Sequence, residues 1–154
     1  MYDVEERLNL SGYHLPELPK ANGDYVTAIV VNELLHTSGQ LSRSKNGVLY
    51  GPIDDGENIS QAVKAAEVCA LRCLAVAKGH LGALNRISQV VSVRGFVAAT
   101  RDFKDHSKVL DGASSVFRTV WPGSAGQHIR TAVGVSSLPS GGLVEIEAVF
   151  QIIA

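Results

Sequence analysis

Arg130, Glu145 and Glu147 lie in the two C-terminal segments IRTAVGVSS and LVEIEAVFQII. A guanidinium forks onto a carboxylate through two parallel hydrogen bonds, a geometry lysine cannot reproduce. A carboxylate such as Glu145 can position or deprotonate a water. Together these side chains have the chemistry to capture a small carboxylate-bearing molecule and hydrate it. His128 shares the strand face of Arg130 if the strand extends that far, and then adds a donor to an anion site. Each residue also has a plain structural reading. Arg130 can pair with Glu147 across an interface, Glu145 can serve in a similar ion pair, and His128 can be a solvated or interface histidine.

The other candidates are weaker. His14, His36, His80 and His106 show no metal-ligand spacing. Cys69 and Cys73 stand one helical turn apart with no second pair to complete a metal site, so they read as small core residues and no metal is expected. Gly112-Ala113-Ser114 reads as a close-packing patch within a helix. Neither a Ser-His-Asp order nor a phosphate-loop pattern is present.

The elements that must position these residues follow from periodicity. Asp3 and Glu6 have capping-box spacing, with Val4 and Leu8 one turn apart, which predicts a short first helix. Tyr25 to Val31 reads as a strand, turned by Asn32-Glu33 into a second strand from Leu34 to Ser38. SGQLSRSKNG reads as a loop, and Val48 to Tyr50 as a short strand. From Asn58, apolar residues recur at three- and four-residue spacing as far as Ala77, which predicts a long helix ended by Gly79 and Gly82. Arg86 to Ala98 is a strand in which Gly95 marks a bulge or a close approach. A second long helix runs from Asp105 to Pro122-Gly123. Arg130 to Ser137 and Leu143 to Ile152 are strands joined by a Pro-Ser-Gly-Gly turn. The order predicts an α+β fold, one mixed β-sheet with two long helices packed on one face.

Parity in the last two strands is informative. Val144, Ile146, Ala148, Phe150 and Ile152 form one apolar face. Taking Val133 and Val135 into that set sends Arg130, Ala132 and Gly134 to the face of Glu145 and Glu147. If the strands form a hairpin, Arg130 and Glu145 border one small cavity. This second face, part charged and part small, fits packing against another subunit better than contact with water.

Composition narrows the function classes. The chain has 154 residues, of which 45% are hydrophobic and 19% charged, a balance for one globular domain spanning 1–154. Net charge is -1 with no basic run, so nucleic acid is an unexpected partner. No segment reads as a secretory leader or a membrane span, so a cytoplasmic location is expected.

Several motifs together resemble the Rid (YjgF-like, reactive-intermediate or imine deaminase) family. They are Arg130, Val133 and Val135, the Leu138-Pro139 turn, Glu145-Ile146-Glu147, and Ser38-Gly39-Gln40 with Tyr25 upstream. VLDGASSVF and GQHIRTAVGV are similar to the branch labelled endoribonuclease L-PSP or chorismate-mutase-like. The resemblance runs from about Lys20 to Ile152, leaving 1–20 as an N-terminal helical extension. It implies a chorismate-mutase-like fold, a homotrimer with a central β-barrel, and sites between subunits. It further implies cofactor-free hydrolysis of small carboxylate-bearing imines and enamines to 2-keto acids and ammonia. By the same resemblance Arg130 grips the substrate carboxylate with help from the Gly39 N–H, Glu145 positions the water, and Tyr25 and Ser38 line the site. Where the family commonly carries a Cys two residues after the Arg, this chain has Ala132. Where it has an Asn in the second long helix, Leu110 aligns. These departures favour a non-catalytic trimer that binds a 2-keto acid, whereas retention of Arg130 and Glu145 favours catalysis. Endoribonuclease activity rests on the family label alone.

Overall fold

A computed structural model describes residues 3–154; Met1 and Tyr2, the first residues of the predicted extension, lie outside the described residues. The predicted stripe after Asn58 is helix α2 (Ser60–Leu81). The Asn58 carboxamide accepts the Ser60 N–H at 2.9 Å, and Gly82, at φ 86°, turns the chain out of the helix. Gly79 does not stop it. Instead, its missing side chain makes room for Leu18, because a Cβ there would lie 2.5 Å from Leu18 Cδ1. The buried positions of α2 are mostly Ala and Cys, which lets the helix lie close to its neighbours. Helix α3 (His106–Val120), the second long helix expected, buries Val109, Leu110, Ala113, Val116, Phe117 and Val120. Gly112 is the contact with α2, since a Cβ there would stand 2.2 Å from the Val63 carbonyl oxygen.

Helix α1 (Val4–Leu10) buries Val4 and Leu8. Asp3 caps it by accepting the Glu5 N–H at 3.3 Å, so Glu6 completes no capping box. The helix is fastened by Arg7 Nη1 donating to the Val120 carbonyl at 2.7 Å and by a Lys78–Glu5 ion pair at 2.7 Å.

The sheet comprises β1 (Ala28–Val31), β2 (Leu34–Thr37), β3 (Gln40–Leu41), β6 (Ile87–Ala98), β7 (Ile129–Val135) and β8 (Val144–Ile152). Its order is β1-β2-β8-β6-β7, with β3 also on β8. The remaining strands, β4 (Arg43–Ser44) and β5 (Gly47–Val48), form a small hairpin; β3, β4 and Gly47 fall in the segment predicted as loop, and Val48 is all that pairs within a strand of the predicted Val48–Tyr50. Asn32 and Glu33, at φ 48° and 63°, make the predicted tight turn between β1 and β2. The fold is α+β with one mixed sheet.

The predicted C-terminal hairpin is not formed. β7 runs parallel to β6, β8 runs antiparallel to β6, and so β6 lies between the two strands that the turn connects. The chain leaves α3, returns along the free edge of β6, and then crosses the end of that strand, where Ala98 N–H donates to the Leu143 carbonyl at 2.8 Å. Gly95 marks a close approach and no bulge. Leu110 Cδ1 would lie 2.2 Å from a Cβ there, while the register shifts of β6 fall at Ile87/Gln89 and Val90/Ser92. Among the described residues, no helix is long and apolar enough to cross a membrane.

Candidate functional site

Arg130, the second residue of the edge strand β7, points toward α3. Pairing places it beside Val93, which is fully buried on the helix side of the sheet. Its Nη1 donates to Asp111 Oδ1 and to Ser114 Oγ, each at 2.9 Å. Its Nη2 donates to the Ser107 carbonyl at 3.0 Å and to Ser107 Oγ at 2.8 Å. Both arms of the guanidinium are thus held in a fork that already carries a carboxylate. Asp111, Ser114, Arg118, Gln127, His128 and Arg130 line a cavity of about 350 Å³.

His128 belongs to the same cluster. Its Nδ1 lies 2.8 Å from the Gly126 carbonyl, which can only accept, so Nδ1 carries a proton. Its Nε2 lies 2.9 Å from Ser114 Oγ. Burial holds the imidazole below its ordinary pKa of 6.5, against the Gly126 hydrogen bond and with help from the Arg130 and Arg118 charges. Neutral His128 therefore presents Nε2 as an acceptor for the Ser114 hydroxyl.

Glu145 is on the other side of the sheet. Its neighbours Val144 and Ile146 are buried beneath the helices, and strand alternation turns Glu145 and Glu147 to the open face. A Cβ on Gly39 would stand 2.6 Å from Glu145 Oε1, so only glycine leaves room for the carboxylate there. Ser38 flanks it and accepts a hydrogen bond from Gln40 Nε2 at 3.2 Å. Burial, with Glu147 second, raises the Glu145 pKa. Glu147 pairs with Arg94 Nε at 2.7 Å, which removes it as a partner for Arg130. Ser38 N–H donates to the Thr27 carbonyl at 2.7 Å and so ties down the segment after Tyr25. The Tyr25 hydroxyl accepts the Asn22 N–H at 3.1 Å, and the side chain is exposed.

The structure thus brings together two groups rather than one. Arg130, His128 and Ser114 stand on the helix side, and Glu145, Gly39 and Ser38 on the open side. The shared Arg130–Glu145 cavity expected from a hairpin does not exist within one chain. The expected parity fails at β7 because Val133 does not belong to the core. It is 41% exposed, and it pairs with Phe96, opposite Glu145, on the open face. Leu110, aligned with the family's Asn, is fully buried over Gly95 and does not line the Arg130 cavity. Ala132 packs partly buried against the core. The polar residues that α3 does give to the cavity, Asp111 and Ser114, continue from Ser107 at spacings of four and three. That polar stripe was readable in the sequence, but the packing interpretation of Gly112-Ala113-Ser114 concealed it.

Cys69 and Cys73 are fully buried, with Sγ atoms 3.3 Å and 3.5 Å from the Val144 and Ile146 carbonyls. Burial pushes the Cys73 pKa up to about 12 and that of Cys69 in the same direction. Both are protonated core residues. Among the described residues, no cluster of three or more His, Cys, Asp or Glu side chains can hold a metal ion.

Comparison with known proteins places this geometry. A RutC family protein of Sinorhizobium fredii is 34% identical, over 88% of this chain and 93% of its own. A 2-iminobutanoate/2-iminopropanoate deaminase of Dermatophagoides farinae is 29% identical over 89% and 92%. Among solved structures, an Agrobacterium tumefaciens protein of unknown function superposes with a TM-score of 0.87 at 35% identity, covering 98% of this chain and 94% of the other. The family model for Endoribonuclease L-PSP matches residues 16–152. The chain belongs to the endoribonuclease L-PSP family, the Rid/YjgF group that its motifs resemble.

Proposed function

We propose that this protein is a cofactor-free hydrolase of small carboxylate-bearing imines or enamines, releasing 2-keto acids and ammonia at sites between the copies of a homotrimer. The observation that carries this reading is the Arg130 fork. It lines a cavity and already holds one carboxylate, that of Asp111, at 2.9 Å. A substrate carboxylate satisfies the same donors. The Dermatophagoides relative, a deaminase of such imines by name, supports the substrate class.

The two-sided distribution of the residues supports sites between copies. Arg130 lies near the start of an edge strand, whereas Glu145, Gly39 and Ser38 belong to the open face, so one copy supplies the anion grip and a neighbour supplies the carboxylate. Ile29, Val31, Ile129 and Val133 leave that face apolar and exposed, a surface that a subunit contact covers. Sedimentation should show a trimer at micromolar concentration. A stable monomer would remove the joint site.

The test of chemistry is ammonia release from 2-iminobutanoate generated in situ by an amino-acid dehydratase. Wild type accelerates it, Arg130→Ala loses keto-acid binding, and Glu145→Gln binds normally but turns over about 10²–10⁴-fold more slowly. A second reading, a binding trimer without turnover, is favoured by Asp111 occupying the fork and by Ala132. Wild type that binds 2-ketobutyrate but leaves imine hydrolysis at its uncatalysed rate selects that reading.

A further inference from the structure

The helix-side cavity contains a hydrogen-bonded chain that grip on an anion alone does not require. Gly126 fixes His128 with its proton on Nδ1, leaving Nε2 as an acceptor 2.9 Å from Ser114 Oγ. Ser114 has one proton to give and gives it to His128, since its other neighbour, Arg130 Nη1, is itself a donor at 2.9 Å. A hydroxyl that donates to a neutral imidazole and accepts from a guanidinium is polarised toward proton loss. The imidazole is in turn oriented by a third group, the Gly126 carbonyl.

We propose that Ser114 and His128 form a proton relay that activates the hydrolytic water beside Arg130. This deepens the imine-hydrolase reading and rests on it. A 2-imino acid gripped by Arg130 through its carboxylate has its electrophilic carbon one bond away, hence next to Ser114, which shares Nη1 with that carboxylate. With the imine protonated, water adds to this carbon as its proton passes to Ser114 Oγ and the Ser114 proton passes to His128 Nε2. The C=N π pair moves onto nitrogen, leaving a carbinolamine with one C–OH and one C–NH2. The imidazolium returns its proton along the same path to that nitrogen. The hydroxyl proton then follows the relay to His128 as C=O forms, the C–N bond breaks and ammonia leaves, and His128 passes this proton to solvent. Atoms and charge balance with water as the only co-reactant. Ser114 is the catalytic residue in this step, and His128 acts through it.

The charged groups lining the cavity with His128 are Arg118 and Asp111 from α3 and Arg130 from β7, while the Phe117 ring packs edge-on at 6.0 Å. Burial and the two guanidinium groups oppose protonation of His128, so the relay is ready at neutral pH and is lost as pH falls through a value below 6.5.

The experiment combines kinetics on the full chain with imidazole nitrogen NMR. In wild type at pH 7, His128 should carry hydrogen on Nδ1 only. The Nε2 resonance should shift in Ser114→Ala, which removes its partner. Ser114→Ala and His128→Gln should each bind 2-ketobutyrate within about twofold of wild type, while kcat for 2-iminobutanoate falls at least tenfold. In His128→Gln the acidic limb of kcat/KM should also move away from the histidine range. A spectrum with hydrogen on Nε2 at pH 7 overturns the relay whatever the enzyme assay shows. Full turnover with an unchanged pH profile in both variants overturns it while leaving the imine-hydrolase reading intact. Wild type that fails to accelerate ammonia release overturns both.

Discussion

Asp111 occupies the place where a ligand carboxylate would bind Arg130, so neutralising it should tighten ligand binding. The ion pair is lopsided, with the Asp111 side chain 68% exposed and the Arg130 side chain 19% exposed. A solvent-facing pair of this kind contributes about 0.2–1 kcal/mol. A ligand carboxylate that displaces Asp111 gives up that amount. Asp111→Asn removes the cost and keeps a neutral acceptor at the same position. Arg130 stays in place because Ser107 and Ser114 still engage both of its arms. Affinity for 2-ketobutyrate should therefore rise by about 1.4- to 5-fold, the same free energy read as a binding ratio. Isothermal calorimetry at low and high salt measures this, and the gain should shrink as salt screens the pair. Unchanged or weaker binding in Asp111→Asn would refute the reasoning. It would mean that Asp111 orders the fork for its ligand instead of competing with it.

Other perturbations test other parts of the structure. Leu110→Asn places an amide over Gly95 in the core and should cost about 3–5 kcal/mol, read as a lower denaturation midpoint, so it cannot restore a polar site. The folded-state pKa of Glu145 is raised, so the stability this group gives is fully present below its ordinary 4.5 and is lost as pH rises through the raised value. Glu145→Gln, neutral throughout, should therefore melt higher than wild type at pH 7, with the difference closing below pH 4.5. Cys69 and Cys73 should resist a thiol reagent in the folded protein and react together on unfolding, whereas fast labelling of either would contradict their burial.

Most elements were legible in the sequence because their periods were unambiguous. Helices α2 and α3 form over the predicted spans, and Asn32-Glu33 turns where expected. The pairing of the two C-terminal strands was not legible. Nothing local in PSGG distinguishes a hairpin turn from a link that crosses the end of a third strand. That distinction depends on β6 accepting both neighbours, a contact between residues far apart in sequence. The short β4–β5 hairpin, two residues per strand, carries too few side chains to show alternation.

The site was partly legible for a related reason. The residue types of Arg130, Glu145 and Gly39 were readable, but their faces were not. On an edge strand the usual sorting of apolar residues inward is reversed when helix-side space is scarce. Gly134 lies under the His106 ring, where a Cβ would meet Nε2 at 2.5 Å, and Ala132 is packed against the core. The helix side of β7 therefore holds small residues and Arg130, and the bulky Ile129 and Val133 go to the open side. An isolated sheet has no reason to place β-branched residues toward water there, next to a half-buried Glu145. A sheet covered by another copy does. In the proposed trimer, this parity lets the anion grip and the open-face carboxylate meet only across a contact between copies. The Ser114–His128 relay is independent of that contact, because its parts lie on one chain. Disrupting assembly through Val133→Asp should separate them, removing the contribution of Glu145 while leaving the His128 nitrogen resonances at their wild-type positions.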